Sequence, residues 1–160
     1  MSSLSENYTG PVVLDSEDTD VYVQALYVSH QVRGELFMKR KLALIDCHTM
    51  LPEEVANIII PLHILTGSDH TSGFYGHRKK VILEKVMTDP EARELLEQVG
   101  ESPVLDDKVR KYMTVLVLSH VYAESADVTC AQARASKWHK LKKKSMIRLP
   151  PDDDSLDLHV

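Results

Sequence analysis

The chain has 160 residues, 43% hydrophobic and 27% charged, which is typical of a globular protein long enough to bury one core. A net charge of −5 does not indicate a general nucleic-acid binder, and no stretch approaches the roughly 20 apolar residues that span a bilayer. Two cysteines are too few for a disulfide framework, and they lack the CxxC spacing that would indicate a zinc site. We expect an intracellular protein, in nucleus or cytoplasm, with no membrane segment.

The first part of the chain predicts two buried strands. Residues 1–10 are polar and predict a disordered tail. Val12-Val13-Leu14 and Leu42-Ala43-Leu44-Ile45 are short apolar runs with β-branched character, which favours strands buried on both faces. Between them, Val21 to His30 is apolar without a clear period, so helix and strand both remain open.

The rest of the chain predicts helices. Pro52-Glu53-Glu54 indicates a helix start, because proline suits the first turn and acids suit its positive end. Pro61 is expected to kink this helix before it ends at Gly67. Further helical patterns follow at Lys79 to Met87, from Asp89-Pro90-Glu91 to Gly100, at Asp106 to Ala123 and at Val128 to Leu141.

This order of elements predicts an α/β fold. Strand, connector, strand and then helices favour the edge of a parallel sheet with a helix-rich C-terminal part. We expect a tail at 1–10, a domain at 11–125, a basic helical extension at 126–148 and an extended acidic tail at 149–160.

Three aspartates are candidate metal ligands. Asp18 and Asp20 follow the first predicted strand, and alternate residues of an extended segment face the same way. Asp69 follows an apolar helix. Carboxylates are ligands that Mg²⁺ and Mn²⁺ prefer, but acids in solvated turns and an aspartate acting as a helix cap are the ordinary alternatives.

Two basic segments are candidate contacts for nucleic acid. Gly76, Arg78, Lys79 and Lys80 lie in a glycine-containing turn before a helix, where backbone amides and cations can hold a phosphodiester. A solvated helix start is the alternative. The basic run from Trp138 to Arg148 could bind along a nucleic-acid strand, with Trp138 stacked on a base. More often such a run is a solvated face, and its tryptophan lies in the core.

These motifs together resemble a known family. Ser16-Glu17-Asp18-Thr19-Asp20, Leu65 to His70 and Phe74 to Lys80 resemble, in order, the acidic strand-end motif, the Gly-x-Asp motif and the DNA-backbone hairpin of flap endonucleases and PIN-like nucleases. Leu62 to Gly76, with Leu149-Pro150-Pro151 downstream, is similar to uncharacterised proteins encoded by animal transposable elements.

The resemblance implies a partial PIN-like fold and Mg²⁺- or Mn²⁺-dependent phosphodiester hydrolysis in intact relatives. It places metal ligands at Asp18, Asp20 and Asp69 and backbone contacts at Gly76, Lys79 and Lys80. Further acidic ligands of the family lie upstream, and Met1 to Leu14 does not supply them. We therefore expect a truncated or degenerate nuclease-like domain that binds DNA, binds metal weakly or not at all, and cleaves little or nothing alone.

Two other interpretations remain open. The chain could be a non-catalytic helical interaction or structural module whose acids are caps and whose lysines are solvated. It could also be half of a nuclease, completed by a partner chain that supplies the missing carboxylates. Whether the chain is a truncated PIN-like domain or half of a nuclease, we expect it to have an exposed sheet edge. Through this edge the chain would pair with itself or with another protein.

Overall fold

The computed structural model describes residues 10–69, 71, 73–99, 106–125, 127–141 and 146–157. It confirms an α/β chain with a helix-rich C-terminal part. The chain forms two compact units, Met1–Ile60 and Pro61–Val160.

The first unit contains a small mixed sheet. Its elements are β1 (Val12–Asp15), α1 (Thr19–Ser29), β2 (Leu36–Arg40), β3 (Ala43–Asp46) and α2 (Cys47–Met50). The strand order is β1-β2-β3, with β1 parallel to β2 and β3 antiparallel to β2. Helix α1 is the crossover that a parallel pair requires. It resolves the segment from Val21 to His30 as helical.

The prediction of a parallel sheet edge is confirmed only for β1 and β2, because the pairing of β2 with β3 is antiparallel. The sequence pattern did not identify β2 as a strand, and β2 continues into β3 through Lys41 and Leu42 alone. So short a connection can join only antiparallel strands. Lys41 takes a positive φ of 52° to make this turn.

The prediction that the first two apolar runs are buried was also wrong. Val12 and Val13 in β1 are exposed, and so are Leu42 before β3 and Leu44 within it. Among the described residues, β1 and β3 are the outer strands, and only β2 has a partner on both sides. The expected self-association through a sheet edge stays a prediction, and β1 is the exposed apolar edge at which to test it.

The core of the first unit lies where α1 and α2 pack on β2. Its buried side chains are Ala25, Leu26, Leu36, Met38 and Cys47. Buried Ser29 is satisfied there, since its hydroxyl donates to the carbonyls of Leu26 at 2.8 Å and Cys47 at 3.3 Å. The bond to the Cys47 carbonyl joins the end of α1 to the start of α2.

Helices are the only regular secondary structure among the described residues of the second unit. Helix α3 (Glu53–Leu65) continues through Pro61, where the division between the units falls. The helices that follow are α4 (Lys79–Met87), α5 (Pro90–Gln98), α6 (Asp107–Leu116), α7 (Cys130–Lys140) and α8 (Asp153–Asp157). All but α8 lie where the sequence predicts helices. The starts of α5, α6 and α7 are marked by side-chain caps at Asp89, Asp106 and Thr129.

Two segments of the second unit differ from expectation. Helix α6 does not run unchanged to Ala123, because Val117–Val121 forms a π-helical turn in which the Tyr122 amide donates to the Val117 carbonyl. The acidic tail is helical at Asp153–Asp157 and not extended. Asp152 explains this start, since its carboxylate accepts from the Ser155 amide at 2.9 Å. Leu156 of this helix is buried.

Both cysteines are free and buried, as the sequence predicts. Cys47 belongs to the core of the first unit, and Cys130 is in the second. Burial raises the pKa of the Cys47 thiol, and the neighbouring Asp46 carboxylate raises it further. Cys47 is therefore held as a thiol at neutral pH and is not an activated nucleophile.

Candidate functional site

Asp18 and Asp20 lie at the N-terminus of α1, where Asp18 has the predicted extended backbone but Asp20 is helical. Asp18 is the N-cap, and its carboxylate accepts from the Asp20 amide at 2.8 Å. Asp20 is in the first turn of the helix. Capping explains the difference, because a carboxylate that satisfies the first amides of a helix favours helix over strand at this point. Asp18 is exposed and Asp20 is half-buried.

Asp69 lies in the second unit, in the loop after α3, and its side chain is exposed. This loop is tied to the end of α3 by side-chain bonds. The Thr66 hydroxyl donates to the Leu62 carbonyl at 2.6 Å, and the Thr71 hydroxyl donates to the Ile64 carbonyl at 2.8 Å. Thr71 also accepts from the Ser68 amide at 2.9 Å. Asp69 is thus carried by a braced turn.

The glycines that follow have different roles. A Cβ added at Gly73 would lie 2.9 Å from the Thr66 carbonyl oxygen, so this position has no room for a side chain. Gly76 has a φ of +83° and open space around it. Arg78 has an ordinary φ of −88°. The chain therefore needs no left-handed residue at Arg78 to enter α4.

Lys79 braces the same loop. Its ammonium group is 2.9 Å from Nδ1 of His63 and also donates to the Gly67 carbonyl. The predicted role of Lys79 was contact with a nucleic-acid backbone. In the structure its hydrogen-bond partners lie within the protein, at the end of α3. Its positive charge lies near the loop, but its hydrogen bonds stabilise the fold.

Helix α4 has an unusual N-terminus. Its N-cap is Arg78, whose side chain makes no capping hydrogen bond, and its first turn contains no acid. Lys80 adds another cation, and its ion pair with Glu84, at 3.9 Å, is exposed. The amide end of a helix is the positive end of its dipole, which favours anions and disfavours cations. This helix start therefore concentrates positive charge that no described side chain compensates by capping.

A cluster of rings supports the segment before α4. The Tyr122 ring contacts Phe74 and His77 edge to face, with centroids 5.8 and 4.9 Å apart. Burial lowers the pKa of His77, and the charges of Lys137 and Lys85 lower it further, so His77 is neutral at pH 7. Burial raises the pKa of Tyr122 to about 12, and its protonated hydroxyl donates to the Leu149 carbonyl at 3.3 Å.

The basic helical extension predicted at 126–148 is only partly available to a ligand. Lys137 donates to the Tyr122 carbonyl at 2.9 Å and pairs with Glu124 at 3.2 Å, and Arg134 donates to the Pro150 carbonyl. Trp138 is about half exposed on α7, so its alternative placement in the core was wrong. Residues 142–145, which carry three of the predicted lysines, lie outside the described part of the chain.

Sequence reasoning missed two features near the basic turn. The guanidinium of Arg148 lies 5.7 Å from the centre of the Tyr75 ring, and Arg134 lines the same cleft as that ring. No sequence spacing connects these residues, which are far apart along the chain. The one signal in the sequence that could have indicated this feature was an aromatic residue, Tyr75, within a glycine-rich turn.

Comparison of the chain with protein-family models, with curated proteins and with solved structures found no match in any of the three. In the part of the chain that the structure describes, no helix combines the length and apolar character needed to cross a bilayer. The family resemblance stays a prediction, so a proposal about function depends on the physical features of each unit.

Proposed function

We propose that this chain is a degenerate PIN-like, flap-endonuclease-like domain that binds a nucleic-acid backbone at the start of α4 and hydrolyses little or none of it alone. The resemblance of its motifs to those nucleases supports the ancestry. The uncapped, cationic N-terminus of α4 supports the binding, and it is the single observation on which the function rests.

A bound phosphate resolves the electrostatic problem at this helix start. The positive dipole end of the helix and the cations Arg78 and Lys80 favour an anion at one place. Other helices of the chain meet the same need with their own acids, as α1 does with Asp18 and α5 does with Asp89. Such a site contacts the backbone and does not read sequence.

Replacing Lys80 tests this binding. Lys80→Gln is expected to weaken oligonucleotide binding about three- to tenfold at low salt and to reduce the salt dependence by about one ion. Thermal stability should change little. Loss of the exposed pair with Glu84 and relief of repulsion with the helix dipole are each worth a few tenths of a kcal/mol and oppose one another. Fluorescence anisotropy across a salt series measures the binding, and circular dichroism measures the melting temperature.

Lys111→Gln is the matched control. Lys111 is exposed in the middle of α6, so the variant removes the same charge without touching a helix start. Binding should change less than twofold. Equal losses in the two variants would show that only net charge matters and would refute a site at α4.

The metal part of the proposal involves Asp18, Asp20 and Asp69. Their carboxylate oxygens suit Mg²⁺ or Mn²⁺, and the capping bond of Asp18 leaves its side chain exposed. A bound cation would lower the pKa of a water and stabilise a leaving oxygen. These three acids are fewer than the resemblance implies for an active nuclease, so we propose weak metal binding without efficient cleavage.

Metal titration tests this part. Millimolar Mn²⁺ is expected to raise the melting temperature slightly and saturably, because a ligand that binds only the folded state stabilises it. Asp69→Asn should abolish the rise, while Asp107→Asn, an exposed acid in the first turn of α6, should keep it. Cleavage of flap and single-stranded DNA should stay at background. Robust cleavage that depends on Asp69 would contradict the proposal.

A second candidate is the non-catalytic interaction or structural module. The internal bonds of Lys79 and Lys137 favour it, since both lysines serve the fold. It predicts no salt-dependent oligonucleotide binding and no metal effect. A nuclease completed in trans instead predicts that cleavage appears only when a partner is added.

A further inference from the structure

The second unit contains a cleft beside the start of α4. Its volume is about 1020 Å³, and we call it the aromatic cleft. Its walls are the loop at 73–79, Tyr122 with Arg134, and the segment at 146–151. Tyr122 holds two of these walls together, because its ring contacts Phe74 and His77 while its hydroxyl donates to Leu149.

Exposed apolar side chains converge on this cleft. Tyr75 is 53% exposed, Met146 is 70% exposed and Ile147 is 57% exposed, and all of them line it. These side chains give the cleft apolar contact surface beside its polar lining. Tyr75 offers a ring for stacking, and Met146 and Ile147 offer aliphatic contact.

The charge of the cleft is positive. Lys79 and Arg134 line it, while none of the described lining residues is Asp or Glu. Arg148 places its guanidinium 5.7 Å from the Tyr75 ring centre and adds a further cation at that ring. A ligand that suits both the ring and the cations is an aromatic group bearing negative charge.

The cleft is continuous with the proposed phosphate contact. His77 and Lys79 line it, and Arg78 between them is the N-cap of α4. A phosphate at the helix start would therefore place an adjoining sugar and base beside the cleft. This continuity favours a nucleic-acid ligand over a protein partner.

We infer that the aromatic cleft binds an unpaired base of a nucleic-acid strand, stacked on Tyr75, while the adjoining phosphate lies at the α4 N-terminus. The inference rests on the proposed function. It adds a preference for single-stranded regions, because a base held in a duplex cannot enter a cleft. A free nucleotide shares the same chemistry and is the other source to distinguish.

A base-free strand separates the cleft from the backbone contact. The full-length chain is titrated, in EDTA, with labelled dT10 and with a ten-unit abasic strand that carries the same phosphates. The wild-type chain should bind dT10 at least fivefold more tightly, as stacking on one aromatic side chain allows. Tyr75→Ala should lose that preference while its affinity for the abasic strand stays the same.

Two variants control for folding and for charge. Tyr75→Phe keeps the ring and should keep the preference for dT10. Lys80→Gln should weaken both strands equally, because it acts on phosphate. Tyr75 is exposed, so Tyr75→Ala should melt within a few degrees of the wild-type chain.

Each remaining outcome decides the question. Equal binding of the two strands by the wild-type chain would overturn the base site but not the backbone contact. A cleft that binds a protein instead of a base predicts this result. Binding of neither strand overturns both proposals. If millimolar dTMP displaces dT10 from the wild-type chain but not from Tyr75→Ala, the base site is supported and one nucleotide suffices for binding. If dT10 is preferred but dTMP does not displace it, binding at the base site requires the strand.

Discussion

Met38→Ala is expected to destabilise the first unit by about 2–5 kcal/mol, the usual cost of truncating a large side chain in a core. Met38 is in the central strand β2, is 0% exposed, and belongs to the core formed with Ala25, Leu26 and Cys47. The small sheet has few other buried side chains to compensate. Because small domains are stable by only about 5–15 kcal/mol, the backbone amides of this unit should lose much of their protection from hydrogen exchange.

Amide hydrogen exchange of β1, β2 and β3 measures this effect, since the only tryptophan, Trp138, lies in the second unit. Leu42→Ala is the control within the same hairpin. Leu42 is fully exposed, so its truncation should change stability by less than about 0.5 kcal/mol. Similar losses of protection in the two variants would show that Met38 does not occupy the core.

Gly73→Ala is expected to destabilise the second unit by about 1–3 kcal/mol, as overpacking a filled site does. The added Cβ would lie 2.9 Å from the Thr66 carbonyl oxygen, which is backbone and cannot rotate away. The loop that carries Asp69 would have to shift. Oligonucleotide binding should weaken as well, because the loop that includes Gly73 also leads into α4.

Gly76→Ala separates steric crowding from backbone strain. Gly76 has open space but a φ of +83°, so alanine there should cost only about 1 kcal/mol. Urea unfolding followed by Trp138 fluorescence compares the two variants within the second unit. If Gly73→Ala were as stable as the wild-type chain, the close approach of this loop to α3 would be disproved.

The start of α4 lacks the features that usually stabilise a helix N-terminus. Arg78 and Lys80 occupy positions where acids or a capping side chain would stabilise the helix. Residues that break a local rule without an evident structural gain are expected at functional sites. The Lys80→Gln experiment examines this directly, because it predicts weaker binding without weaker folding.

Helices were the most predictable part of the fold. Lys79–Met87 forms the helix that the sequence predicts, with the predicted bounds, and Pro90–Gln98 begins after Asp89 as expected. The signals for these elements are local, since caps, proline positions and apolar spacing act within one or two turns. The π-helical turn at Val117–Val121 carries no such signal.

Strand burial and pairing were not predictable. An apolar run such as Val12-Val13-Leu14 reads the same whether it lies at the centre or at the edge of a sheet. The register of β2 with β1 and β3 depends on contacts between distant residues, and a single sequence does not encode which strands are neighbours. The contact of Lys79 with His63 was not predictable for the same reason, because the two residues are 16 positions apart along the chain.

The sequence by itself determined helices α4 to α7, the glycine-containing turn and the cluster of cations that opens α4. These depend on backbone chemistry over a few residues. Only the tertiary structure decided that β1 is exposed, that Lys79 and Lys137 bond within the fold, and that Tyr75, Arg134 and Ile147 line one cleft. Those features depend on which distant segments pack together, and packing is set by the whole chain at once.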